Sequence, residues 1–78
     1  MIQILNILKP IVAEILEVEE ESVTPAAKFA DLGADELDLW EICMAAEGEF
    51  DVIIDTEDGK KIDSVGDLIA LIEERNHD

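Results

Sequence analysis

The chain has 78 residues, of which 49% are apolar: enough for one compact core spanning 1–78, too few for a two-domain enzyme. Twenty-one Asp and Glu against five Lys and Arg give a formal charge of −16, which repels nucleic-acid phosphates and anionic lipid headgroups and favours a basic protein surface or a cation as partner. One Cys and one His exclude a disulfide framework within the chain and a Cys- or His-rich metal site, so no metal ligands are assigned and a cytoplasmic location is expected.

The stretch from Met1 to Leu16 is apolar but lacks a basic start, is interrupted by Gln3, Asn6, Lys9 and Pro10, and is too short to span a bilayer. It is expected to belong to the fold. Ile4, Leu8, Ile11 and Ile15, with Leu5, Val12 and Leu16, recur at spacings of three and four, predicting an amphipathic helix from about residue 3 to 17. Pro10 removes one backbone donor and crowds the preceding turn, so this helix is expected to kink or fray there.

Glu19-Glu20-Glu21 reads as a solvated connection that ends the helix. Residues 22–34 hold Pro25 and Gly33 and no sustained period, which predicts a long loop anchored on the core by Val23, Phe29 and Leu32. Asp35, with Asp38 three positions on, is the N-cap of a second helix running to about Phe50. Its core stripe is Leu39, Ile42, Cys43, Ala46 and Phe50, while Leu37, Trp40 and Met44 form a second stripe rotated away from the first. Gly48 weakens the last turn.

Val52-Ile53-Ile54 has no strand-like partner and reads as a buried connection. Asp55 to Lys61 allows one short helical turn interrupted by Gly59, and Ser64 caps a final helix whose core face is Val65, Leu68, Ile69 and Ile72. A polar tail from Glu73 to Asp78, including His77, follows.

Between Lys28 and Lys60 there are eleven acidic residues and no cation. Asp35, Glu36 and Asp38 can serve as helix caps and Glu41, Glu47 and Glu49 as a solvated face, but Leu37, Trp40 and Met44 lie among them without being needed for the core stripe. An apolar strip edged by carboxylates suits a docking surface that basic residues approach first and apolar contacts then hold. Asp35, Leu37, Asp38, Trp40, Glu41, Met44 and Glu47 are its candidate residues, with Trp40 either a partner anchor or core filler. Paired carboxylates without material for a substrate cleft do not make a glycosidase, so no catalytic residues are assigned. Asp55-Thr56-Glu57-Asp58-Gly59 fails as a calcium loop, since counting from Gly59 puts Ile54 at the first ligand position and Val65 where a bidentate Glu belongs. Cys43 sits on the core stripe and is read as a buried packing residue.

Phe29-Ala30-Asp31-Leu32-Gly33-Ala34-Asp35, then Leu37-Asp38, Glu41-Ile42, Met44-Ala45 and Glu49-Phe50-Asp51, and later Lys61-Ile62 and Val65-Gly66-Asp67-Leu68-Ile69, resemble the acyl carrier protein family over most of the chain. The resemblance implies an all-α four-helix bundle, three main helices plus one short helix, with a long loop between the first two. It also implies a non-enzymatic carrier of acyl chains in fatty-acid, polyketide or lipid biosynthesis, holding them as thioesters on a 4′-phosphopantetheine arm. In that family a serine within Asp-Ser-Leu carries the arm; here the tripeptide is Asp35-Glu36-Leu37, so Glu36 takes the attachment position and no cofactor is expected on this chain.

A hydroxyl attacks the pyrophosphate of coenzyme A to give a stable phosphodiester, whereas a carboxylate would give a labile mixed anhydride. Ser22, Ser64, Thr24 and Thr56 are expected to lie elsewhere. Trp40 is bulkier, and Cys43 and Ala46 smaller, than the resemblance leads one to expect, and Gly48 stands in place of an acid. The leading expectation is therefore a monomeric, arm-free interaction or regulatory module that docks on basic surfaces of acyl-chain synthesis or modification enzymes. The alternatives are an ordinary carrier whose serine has been substituted at position 36, and a small acidic protein that binds divalent cations.

Overall fold

The computed structural model describes residues 2–76; His77, read as part of the polar tail, lies outside the described residues. Four α-helices occur in the order α1 (Ile2–Leu16), α2 (Glu36–Phe50), α3 (Thr56–Lys60) and α4 (Val65–Arg75), with a 3₁₀ turn at Glu20–Ser22. Among the described residues there is no strand, only an isolated antiparallel bridge between Lys28 and Ser64. The expected all-α bundle, with three main helices, one short one and a long first loop, is the fold observed.

Helix α1 runs without interruption through Pro10, contrary to the expected fraying. Pro10 is exposed, and so is Asn6, whose carbonyl loses its intrahelical donor and is left to water. Leu8, Val12 and Ala13 are buried on the opposite side. Their packing against the core, worth about 1.5–3 kcal/mol for each large side chain fully buried, outweighs one missing hydrogen bond. The helix stops at Leu16 because Glu17 turns left-handed with φ 57°, and the Val18 N–H donates to the Ala13 carbonyl at 3.1 Å. Helix α2 ends in the same way: Asp51 has φ 56° and the Val52 N–H reaches the Glu47 carbonyl at 3.3 Å.

The long loop is ordered by its anchors. Val23 and Phe29 are buried and Leu32 is half-buried against the same core. Gly33 supplies φ 88° for the turn into α2, a conformation that costs little only for glycine. Three backbone bonds tie the loop to the start of α4: the Phe29 N–H donates to the Asp63 carbonyl at 3.0 Å, the Val65 N–H to Ala27 at 2.9 Å and the Gly66 N–H to Pro25 at 2.8 Å.

All four residues expected on the core face of α4, Val65, Leu68, Ile69 and Ile72, are buried together with Ile42, Cys43 and Ala46 of α2. The connection after α2 is only partly buried, as Val52 and Ile54 point inward while Ile53 is 76% exposed. Here the chain alternates its side chains as an extended segment does, although among the described residues no strand pairs with it. Helix α3 passes through Gly59, which was expected to interrupt it. Asp55 caps it, and Arg75 at the end of α4 holds it, donating twice to the Asp58 carboxylate at 2.8 Å and once to the Ile53 carbonyl at 2.9 Å. This fork keeps the Asp58 carboxyl down at about 2.

Candidate functional site

The first turn of α2 is fixed by its own side chains. Asp35 accepts from the Asp38 N–H at 2.8 Å and Asp38 accepts from the Asp35 N–H at 3.2 Å, a reciprocal cap that satisfies two donors with no helical partner. Glu36 is the first helical residue, directly after the cap, and is exposed. Its carboxylate thus stands at the positive end of the helix dipole.

From that end the two predicted stripes diverge. Ile42, Cys43 and Ala46 are buried and Leu39 and Phe50 half-buried, whereas Leu37, Trp40 and Met44 are 63%, 59% and 49% exposed. Trp40 is therefore not core filler. Glu41 is exposed beside this strip. Glu47 is half-buried, and one of its oxygens accepts the Ile54 N–H at 2.7 Å, so part of this residue's work is to fasten the connection after α2. Asp35 and Asp38 are likewise engaged in the cap. Of the acidic residues assigned to docking, Glu41 is the one whose carboxylate is given over to solvent, with Glu36 at the strip's beginning.

Sequence reasoning passed over Gly48 as a member of this face. It follows Met44 by one turn, is exposed, and, apart from its own stretch of helix, has no atom within 4 Å of where a Cβ would sit. The spacing of four from Met44 was the available signal.

Glu36 also lines an open cleft of about 300 Å³ between the long loop, the start of α2 and α3. Phe29, Ala34, Leu39 and Ile62 form its apolar part, and Asp35, Glu36, Lys60 and Asp63 its polar part. None of the four hydroxyl residues considered above lines this cleft. Ser64 accepts the Asp67 N–H at 3.2 Å as the cap of α4, Ser22 belongs to the 3₁₀ turn, Thr24 lies in the long loop and Thr56 begins α3. Cys43 is buried, and desolvation, with the charge of Glu47 behind it, pushes its thiol above the ordinary value. It is a packing residue.

Among the described residues no group of three or more His, Cys, Asp or Glu is placed to hold a metal ion, and no helix is long and apolar enough to cross a membrane.

A capped acidic helix after a long pinned loop, in a bundle closed by a short third helix and a fourth, is the architecture of a carrier domain. A family model described as a phosphopantetheine attachment site matches residues 6–72, most of the length of the chain, and the chain belongs to the acyl carrier protein family. The cofactor that membership implies is 4′-phosphopantetheine. The donor chemistry at the first turn of α2 does not fit that group, because Glu36 offers a carboxylate there and Ser22, Thr24, Thr56 and Ser64 lie on other elements.

Proposed function

We propose that this chain is an acyl-carrier homologue that acts by non-covalent contact instead of carrying a phosphopantetheine arm. The observation behind this reading is Glu36 itself, exposed at the first residue of α2 with no hydroxyl beside it in the cleft. A carboxylate cannot form the phosphodiester that makes the arm durable. It does put one negative charge where a modified serine would carry a phosphodiester of like charge, and the helix N-terminus favours that charge. Glu36 thereby imitates the loaded state electrostatically.

The rest of the face remains usable. Asp35, Leu37, Asp38, Trp40, Glu41, Met44 and Glu47 present acids around an apolar strip, matched to basic surfaces on acyl-chain synthesis or modification enzymes. The role is one of binding rather than catalysis, by a cytoplasmic monomer.

The test is to incubate the chain and its Glu36→Ser variant with a broad-specificity phosphopantetheinyl transferase and coenzyme A, then weigh both intact. Mass gain by the serine variant alone is the expected result, and it also shows that the docking face is still read by a carrier-modifying enzyme. Covalent pantetheine on the unmutated chain, at any residue, overturns the proposal. If the serine variant also gains nothing, the retained docking face is refuted.

A further inference from the structure

Asp58 is followed by Gly59, the one Asp-Gly step in the sequence. The Gly59 amide nitrogen can close a five-membered ring on the Asp58 side-chain carboxyl. Glycine has no Cβ to shield that nitrogen or to restrict the backbone rotation that brings the two groups together. Of all aspartyl steps this is the one most open to ring closure.

The step sits in α3, five residues long with none of them buried, a length that does not hold a helix in water by itself. Two arrangements keep the reacting groups apart. The Gly59 N–H is donated to the Asp55 carbonyl at 3.1 Å, and both Asp58 carboxylate oxygens accept from Arg75 of α4 at 2.8 Å. A second ion pair, Lys60 with Glu57 at 3.7 Å, is exposed and lies within α3, so it ties the helix to no other element. A segment so lightly held opens more often than the core does, and each opening frees both groups together.

We propose that Asp58–Gly59 is a site of spontaneous covalent change in this chain, an aspartyl to isoaspartyl conversion, and that Arg75 governs its rate by holding α3 closed. With the carboxyl protonated from solvent, the Gly59 nitrogen bonds to Asp58 Cγ, the carboxyl hydroxyl leaves with the amide proton as water, and a succinimide ring closes. Water then reopens the ring. Breaking the nitrogen's bond to Cγ restores aspartate; breaking its bond to the main-chain carbonyl carbon leaves the chain running through Cγ, with that carbonyl carbon released as a carboxylate. One water is lost and one gained, nothing is oxidised or reduced, and the mass is unchanged.

The product carries one extra methylene in its main chain, which breaks the hydrogen-bond register of α3 and takes the carboxylate off the fork. Gly59, Lys60 and Ile62 line the cleft beside Glu36, so the conversion loosens one wall of that cleft. The step asks nothing of Glu36 or of any partner, and it stands apart from the arm-free reading.

The experiment incubates the folded full chain in heavy-oxygen water at neutral pH and maps samples over weeks by digestion and electron-transfer fragmentation. Each passage through the ring leaves one heavy oxygen behind. Label and isoaspartate are expected at position 58 ahead of every other aspartate. Arg75→Gln should quicken the conversion about tenfold, and Arg75→Lys by less, since a point charge grips once where the fork grips twice. Gly59→Ala, with open space around the added methyl, should slow it about tenfold or more, because Cβ shields the nitrogen and alanine favours the helix. Val12→Ala thins the core at α1 and leaves the fork intact, so it should stay within about twofold of the parent. In concentrated urea the parent and Arg75→Gln should convert at one common, faster rate.

Label appearing first at another aspartate, or no slowing in Gly59→Ala, overturns the site. Arg75→Gln converting no faster than the parent when folded, Val12→Ala matching it, or unequal rates in urea overturns the role of the fork.

Discussion

Replacing Gly48 and Gly66 with alanine, one at a time, makes the same chemical change inside two helices and should move stability in opposite directions. At Gly48 nothing lies within 4 Å of the added methyl, so the change is the intrinsic preference for Ala over Gly in an exposed helix interior, a gain of about 1 kcal/mol. At Gly66 the added Cβ would sit 2.8 Å from the Pro25 carbonyl oxygen. That oxygen is backbone and already accepts the Gly66 N–H at 2.8 Å, with the neighbouring Val65–Ala27 bond at 2.9 Å holding the loop in place, so neither side yields easily.

Overpacking of this kind costs about 1–3 kcal/mol, and loosening the hydrogen bond adds about 0.5–1.5 kcal/mol. Against these stands a gain of at most about 1 kcal/mol in helix propensity, smaller here because Gly66 lies in the first turn of α4. The net expectation is a loss of about 1–3 kcal/mol. For a domain of this size each kcal/mol moves the midpoint by about 4–8 °C, so thermal melts followed by circular dichroism should separate the variants by about 10 °C or more. Urea melts check the sign. If Gly66→Ala equals or exceeds the parent, the close approach of the loop to α4 is wrong; if Gly48→Ala lowers the midpoint, so is the open space above α2.

Two further outcomes follow from the helix ends and from the Arg75 fork. Glu17→Gly removes a side chain from a left-handed position and should raise stability in urea melts by about 0.5–1 kcal/mol; a loss would show that Glu17 makes a contact outweighing its backbone strain. Arg75→Gln should cost stability that depends on pH. The Asp58 carboxyl is held at about 2, below its ordinary value, so the fork contributes fully above about pH 4 and the contribution is lost as pH falls through the folded value. The gap between parent and variant in urea melts should therefore close between about pH 4 and 2, and a gap constant over that range would refute the fork.

Much of this architecture could be read from residue order because local signals and burial agree. Asp35 with Asp38 and Ser64 with Asp67 mark helix starts through contacts three residues apart, and the apolar spacing in α2 separates its buried face from Leu37, Trp40 and Met44. Where the reading went astray, the deciding partner was distant or the residue type carried no local preference. Pro10 argued for a break, but burial of Leu8, Val12 and Ala13 held α1 together. Glu17 has no particular liking for left-handed backbone, so the manner in which α1 ends was not visible. Gly59 stays helical in a turn gripped by Arg75 from another helix, a contact that the local pattern does not contain. In the site, the position of Glu36 at the start of α2 was legible, whereas helical spacing alone leaves Trp40 open between partner anchor and core filler, and its exposure is settled only by the packing of the bundle. The bond from Ile54 to Glu47 was not legible either, because it depends on the chain doubling back after α2.

The three backbone ties between the long loop and residues 63–66 at the start of α4 bear on how the face of α2 comes into being. They join stretches of chain nearly forty positions apart, and pairings of that range close slowly because so much freedom is given up before they form. The cleft at Glu36 needs the loop on one side and α3 on the other. A synthetic peptide copying α2 would carry the same side chains yet lack the pocket's walls, and at fifteen residues it would be marginally helical in water. Excising this helix as an inhibitor would thus discard the scaffold that gives its first turn a fixed setting.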